Sequence, residues 1–539
     1  MKKIILLFFA LLIFISCTEQ EKADLIIFNA NIYTVNDSFA KAEAIAIKNG
    51  KFIAVGTTAE IIKKYEAANN IDVDGKTIVP GLIDAHCHFY GLGLSEQKVK
   101  LEGTKSFDEV VQRIVDFQKE KNVSYITGRG WDQNDWEVKE FPTKDKLDEL
   151  FPETPIAITR IDGHALLANQ AAIDLAGVTV DTPFSGGDII KKDGKLTGVF
   201  VDNPMGLIGS KIPGPSLQES IQALKDAEKI CLANGLTTVN DAGLSREAIE
   251  LIDSLQQAGQ LKIKVYAMAS AYPKNLDYYL NKGTYKTDRL NVRSFKVYGD
   301  GALGSRGAAL REPYSDKPGH FGALVNTPEN LKEIAERIAD SDFQMNTHAI
   351  GDSANHYLLE IYEEVLKDKT DRRWKIEHAQ IVSPDDFDFF KNIVPSIQPT
   401  HATSDMYWAK DRVGAERMKG AYAFKDLLNQ YGKVALGTDF PVEHVSPMLT
   451  FYAAVARKDL NNYPKNGFQM ENALSKEETL KGMTIWAAYS NFEENEKGSI
   501  EVGKMADFII LDQNIMEIPV EKVPNIKVLD TYVNGEKLN

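Results

Sequence analysis

Cysteine is almost missing: Cys17, Cys87 and Cys231 are the only three in 539 residues. Thiols so few and so widely spaced build no disulfide framework, even in an oxidising compartment, so stability must come from a core or from metal. Positive charge is also short, with 62 Lys and Arg against 77 Asp and Glu and a formal net charge of -15. No long basic run overrides that balance, which excludes nucleic acid as an expected partner. Fixed-period repeats and low-complexity tracts are absent, which argues against solenoids and disordered arrays. Histidine is scarce, at nine residues. What remains is ordinary globular composition, 43% hydrophobic and 26% charged, in a chain long enough for more than one domain.

The one long apolar run opens the chain. "MKKIILLFFALLIFIS" places a Lys pair before an apolar stretch of h-region length, so residues 1–16 read as a signal peptide and not as part of the fold. "FISC" resembles the lipobox of bacterial lipoproteins, with Phe14 where that pattern prefers Leu. The resemblance implies that Cys17 is lipidated and becomes the mature N-terminus, that residues 17–23 form a polar tether, and that the protein is exported and anchored to the outer membrane or cell surface.

Residues 24–79 carry short Ile, Val and Ala runs separated by Asn-Gly and Gly punctuation that suits hairpins. Residues 490–539 have the same texture, so both chain ends are expected to join in one small β-sandwich. Between them, residues 80–489 alternate helices and strands. Ser216 and Glu219 stand at capping-box spacing, and Thr327-Pro328 offers an N-cap followed by proline at the first helical position. Eight strands are read: "TIVPGLIDAHCH", "GLTTVNDA", "IKVYAMA", "RSFKVYGDG", "FQMNTHA", "WKIEHAQ", "IVPSIQPTH" and "KVALGTDF". The fold class is α/β, a (β/α)8 TIM barrel whose site lies at the C-terminal strand ends. Residues from about 90 to 215 are too many for a connection and read as a cap inserted after the first barrel strand.

The first strand ends in H-x-H, a spacing expected only about 0.15 times by chance from nine histidines in this length. Residues two apart in a strand share a face, so His86 and His88 point together while Cys87 points away as core filler. The same alternation turns Lys296 and Tyr298 inward, and likewise Gln344, Asn346 and His348. Asp439 faces in at the eighth strand. His378 ends "WKIEHA", where strict alternation would send Glu377 toward the helices. Neutral imidazoles and a carboxylate gathered at strand ends suit a divalent cation, zinc first, with iron, manganese and cobalt able to use the same donors.

This arrangement resembles the amidohydrolase superfamily. The motifs "VPGLIDAHCH", "KVYGDGALGSRGAAL", "THAIGD", "IEHAQ", "LGTDFPV" and "GKMADFIILD" are similar to its YtcJ-like branch, amidohydrolase family 3, which includes N-substituted formamide deformylase. The resemblance implies metal ligands at His86, His88, Lys296, His348, His378 and Asp439. It implies one or two divalent ions, with Lys296 carboxylated to an anionic bridging ligand. The chemistry implied is hydrolysis of a non-peptide carbon–nitrogen bond, an amide or an N-acyl or N-formyl amine, through a metal-activated hydroxide. Asp439 would be both ligand and general base.

Other residues carry weaker expectations. His164 in the cap is placed toward the substrate by the same resemblance, against a loop-stabilising role. Trp131 and Asp132 could line the cleft or simply pack. His401, read at the end of the seventh strand, could donate to the substrate. Arg306 could anchor substrate or fold its own Gly-rich loop by an ion pair. The partner expected is a small amide-like molecule, and a homo-oligomer is compatible with this sequence without being fixed by it. Two rivals remain open. One is a deaminase or a cyclic amide or lactone hydrolase on the same metal site, and the other is a surface lipoprotein that binds a small ligand without chemistry.

Overall fold

The run from Thr77 to His88 reads as one strand but is two. Thr77–Pro80 belongs to a six-stranded sheet with residues from both chain ends, whereas Leu82–Cys87 begins the barrel. Between them Gly81 donates its N–H to the Asp507 carbonyl at 2.9 Å, so the C-terminal segment fixes the point of crossing. The computed structural model describes residues 20–539 apart from 161–164, 185–186, 203 and 305. The expected signal peptide and Cys17 therefore lie outside the described residues. Among the described residues, no helix is long and apolar enough to cross a membrane.

Two sheets face each other at the chain ends. One has the order Lys51–Gly56, Ala44–Lys48, Glu21–Phe28 and Tyr65–Asp72. The other runs Glu536–Lys537, Val528–Val533, Phe508–Leu511, Thr77–Pro80, Asn31–Tyr33 and Lys41–Ala42. Leu25, Ile27, Ile45, Phe52, Ile78, Phe508 and Ile510 form the shared core of this β-sandwich. The Asn49-Gly50 pair makes the tight hairpin between Ala44–Lys48 and Lys51–Gly56, both residues with positive φ (51° and 74°), as its turn chemistry requires.

The barrel strands are β1 (Leu82–Cys87), β2 (Leu236–Leu244), β3 (Lys264–Ser270), β4 (Leu290–Tyr298), β5 (Gln344–Ala349), β6 (Lys375–His378), β7 (Val394–Ile397) and β8 (Ala435–Leu436). They lie side by side in chain order, each neighbouring pair parallel. Backbone bonds close the ring beyond β8. Asp439 N–H donates to the His86 carbonyl and His88 N–H to the Phe440 carbonyl, both at 2.8 Å. Outward residues such as Val239, Val265, Phe295, Met345 and Ile376 are buried under the helices, each worth about 1.5–3 kcal/mol by its burial. The capping signals are realised. Leu217–Ala233 starts with the reciprocal Ser216 and Glu219 bonds, and Pro328–Ala339 starts with Thr327 accepting from Asn330 N–H.

The barrel interior is polar. Asn240 and Asn491 exchange side-chain hydrogen bonds at 2.9 and 2.8 Å, and Lys375 Nζ donates to Asn491 Oδ1 at 3.0 Å. Between β1 and β2 the chain builds its own six-stranded sheet from Val99–Lys100 to Lys195–Asp202. Separate cores line it, around Trp131, Leu147 and Ile158 on one side and Phe200, Ile173 and Ile208 on the other. This is the expected insertion.

Candidate metal centre

β1 delivers two imidazoles with opposite anchoring and one orientation. His86 Nδ1 lies 2.6 Å from Glu377 Oε2, and His88 Nδ1 lies 2.9 Å from the Ala242 carbonyl. Both acceptors require the proton on Nδ1, which leaves each Nε2 lone pair for the site. The two Nε2 atoms stand 3.6 and 3.2 Å from Asp439 Oδ1. Asp439 reaches that point through a left-handed backbone (φ 63°) just past Gly437, where a Cβ would come within 2.5 Å of His86 N. Only glycine lets β8 approach β1 so closely.

Asp439 also faces a second pair. His401 Nε2 is 3.2 Å from Asp439 Oδ2, and the His378 ring lies 5.9 Å from the His401 ring and 4.9 Å from that of His86. The donor atoms of His86, His88 and Asp439 fall within 4.8 Å of one another, and so do those of His378, His401 and Asp439. Two candidate cation positions thus share one carboxylate. His378 Nδ1 and Asp439 Oδ1 are buried with no hydrogen-bond partner among the described residues, an expensive arrangement unless a cation takes their lone pairs. Nitrogen and carboxylate donors at this spacing fit a divalent metal.

The electrostatics divide the histidines: against burial, Asp439 and Glu443 push His401 up to about 10 and Asp439 raises His88, so these two rings favour the charged form until a cation displaces the proton. Burial, together with the Lys296 charge, pulls His348 down to about 3, and burial holds His378 well below the usual histidine range. These rings are neutral and able to act as ligands. Lys296 Nζ sits 3.1 Å from His86 Nε2, and burial lowers its pKa to about 8 against the pull of Glu377 and Asp439. Burial alone would raise Asp439, but the hydrogen bond with His401 and the nearby His88, His86 and His378 rings hold it well below the normal carboxylate range.

Several sequence expectations change. Glu377 does not face the helices. Lys375 and Glu377 line the interior, and His378 enters the site because its backbone turns left-handed (φ 73°). His401 does not end β7 but lies in the first turn of the helix Pro399–Asp405, where Glu443 Oε1 faces its Nδ1 at 3.1 Å. His348 stays beside His378, ring centroids 4.5 Å apart, yet its Nε2 turns to the Gly301 carbonyl at 3.4 Å and stands outside both donor groups. Trp131 is not a cleft residue: it is fully buried in the cap core and donates Nε1–H to the Ile158 carbonyl at 3.0 Å. Asp132 pairs with Arg160. Arg306 is not poised as an anchor, because its guanidinium makes two bonds to Asp316, at 3.0 and 2.8 Å, within its own loop. His164 lies outside the described residues.

Sequence reasoning passed over three buried carboxylates that hold the ligand-bearing segments. Asp84 accepts from His86 N–H, Thr438 N–H and the Thr438 hydroxyl. Asp241 accepts from Phe89 and Tyr90 N–H just after His88. Asp300 accepts from Ala309, Ile350 and Gly351 N–H and ties the loop after β4 to the end of β5. Asp300 sits just past the end of β4, which was an available signal, whereas Asp84 and Asp241 lie within β1 and β2 and carried none.

A family model described as "Amidohydrolase family" matches residues 70–538. This chain belongs to the amidohydrolase family. Protein LONG AFTER FAR-RED 3 of Arabidopsis thaliana is 34% identical, aligned over 96% of this chain and 91% of its own. N-substituted formamide deformylase of Arthrobacter pascens is 26% identical over 95% of this chain and 97% of its own. The crystal structure of an uncharacterized metal-dependent hydrolase from Pyrococcus furiosus superposes with a TM-score of 0.79 at 29% identity, covering 92% of this chain and 100% of that one. The amidohydrolase is thus a metal-dependent hydrolase on a TIM barrel, and its paired histidine groups around Asp439 are the candidate metal site.

Proposed function

We propose that this amidohydrolase cleaves a carbon–nitrogen bond other than a peptide bond, in an amide or an N-acyl or N-formyl amine, with zinc as its metal. The observation that carries this reading is Asp439 standing between two histidine pairs with one buried oxygen unpartnered. The named activity of the Arthrobacter relative supports the bond type. His86, His88 and Asp439 would hold one ion, and His378, His401 and Asp439 a second. When bound, such ions supply Lewis acidity toward a carbonyl oxygen and acidify water. Asp439 takes the proton of the attacking water and passes it to the departing nitrogen. Glu443 faces the Nδ1 of His401 and turns its Nε2 toward the second ion position beside the other oxygen of that carboxylate.

Lys296 is assigned here as the carboxylated residue. Its burial lowers its pKa to about 8, which raises the share of neutral amine that carbon dioxide needs. Intact mass measurement of metal-loaded protein, with and without bicarbonate during loading, tests that assignment. Export and a lipid anchor on Cys17 rest on the N-terminal sequence, and Cys17→Ser should move the protein from the detergent phase to the aqueous phase.

The deciding experiment joins elemental analysis of purified protein to hydrolysis of an N-acyl and N-formyl amine panel, with and without chelator. Free amine plus carboxylate, lost on chelation, is the expected result. Ammonia or a ring-opened acid instead would favour the deaminase or cyclic amide readings, and no turnover at all would favour the binding protein. Asp439→Asn should lower kcat by about 10²–10⁴-fold while removing far less of the bound metal.

A further inference from the structure

The inner face of β4 ends in Tyr298, two residues beyond Lys296 on the same side of the strand. Lys296 is 1% exposed and Tyr298 41%, so the strand passes from closed interior to open mouth within that step. The tyrosine ring stays at the centre. Its centroid is 5.2 Å from Lys296 Nζ and 5.9 Å from the ring of His348. The backbone carbonyl of Tyr298 accepts from Asn326 Nδ2 at 2.9 Å, but its hydroxyl has no hydrogen-bond partner among the described residues.

The phenol oxygen reaches across the barrel rim toward the end of β2. A Cβ on Gly243 (φ 91°) would lie 3.1 Å from it, with Ser270 Oγ 3.7 Å from the same point. Glycine at 243 therefore leaves the hydroxyl room above the ends of β2 and β3. A donor unspent on the protein, beside Lys296 and His348 at the mouth of the candidate metal site, can stabilise charge that develops on a reacting oxygen.

We propose that the Tyr298 hydroxyl donates a hydrogen bond to the carbonyl oxygen of the bound substrate and stabilises the negative charge that forms there. The assignment rests on the carbon–nitrogen hydrolysis reading above. As water oxygen bonds to the carbonyl carbon, the C=O π pair moves onto oxygen, where Tyr298 meets it without giving up its proton. That pair returns to re-form C=O as the C–N bond breaks, and the departing nitrogen takes the proton carried by Asp439.

The test compares metal-loaded full-length wild type with Tyr298→Phe, and uses methylphosphonate as a tetrahedral oxyanion probe. Calorimetry should show methylphosphonate binding at least tenfold more weakly to Y298F at equal metal content. With an accepted panel substrate, kcat should fall about 10²–10³-fold and KM should change little. Tyr272→Phe, at an exposed tyrosine beyond β3, should change neither reading. Equal methylphosphonate affinity in wild type and Y298F, or no binding to wild type, overturns the proposal. If no panel amide turns over while the difference in methylphosphonate binding persists, the assigned bond type fails and the Tyr298 contact stands.

Discussion

His86 and Glu377 meet at 2.6 Å, Nδ1 to Oε2, with neither side chain exposed. Burial alone would raise the Glu377 carboxyl, but His86, Lys375 and Lys296 outweigh it and hold it at about 2. His86 itself is lowered by burial. A neutral ring therefore donates Nδ1–H to a carboxylate, and its Nε2 lone pair is fixed toward Asp439. A carboxylate behind a metal-binding histidine orients the ring and raises its basicity.

Glu377→Ala should weaken metal affinity by about 10–100-fold, read by competition with a chromophoric chelator on full-length protein. Glu377→Gln, which still accepts from Nδ1–H, should lose less. Unchanged affinity in both would show that the contact is only packing.

Lys375 makes stability depend on pH. Burial lowers it to about 8, despite Glu377 and Glu493, whereas the unfolded side chain titrates near the ordinary lysine value of 10.5. Between those values the unfolded chain holds more protons, so the folded state gains stability as pH rises and loses it as pH falls through about 8. The stability of metal-free wild type relative to Lys375→Met should climb from pH 8 to 10.5 by at most about 1.4 kcal/mol per pH unit. Denaturant titrations across that range would show it, and a flat difference would mean that Lys375 is no more buried than it is in the unfolded chain.

Trp131→Phe removes the Nε1–H bond to Ile158 but keeps a ring in the cap core. The expected cost is about 0.5–1.5 kcal/mol of stability, with KM for accepted amides unchanged. A large rise in KM with normal melting would return Trp131 to the substrate cleft.

The barrel, its strand order and β1's paired histidines were legible because each depends on a local period. Alternation decides which side of β1, β4 and β5 faces in, and capping spacing starts the helices. Alternation fails where the backbone turns left-handed. His378 and Asp439 both do so, and this is why Glu377 points opposite to its expected side. His401 escaped because Pro399 opens a helix where the strand was read to continue. Trp131, Asp132 and Arg306 were ambiguous for another reason. Whether an aromatic or a charge serves ligand or scaffold depends on a partner distant in sequence, here Ile158, Arg160 and Asp316.

The crossing at Gly81 has an effect on how the chain matures. Thr77–Pro80 lies between Asn31–Tyr33 and Phe508–Leu511, so the strand from which β1 departs lacks one of its two neighbours until residues 508–511 have been made. Contacts this distant in sequence form slowly. Until Phe508–Leu511 is in place, His86 and His88 stand on a strand whose root is paired on one side only.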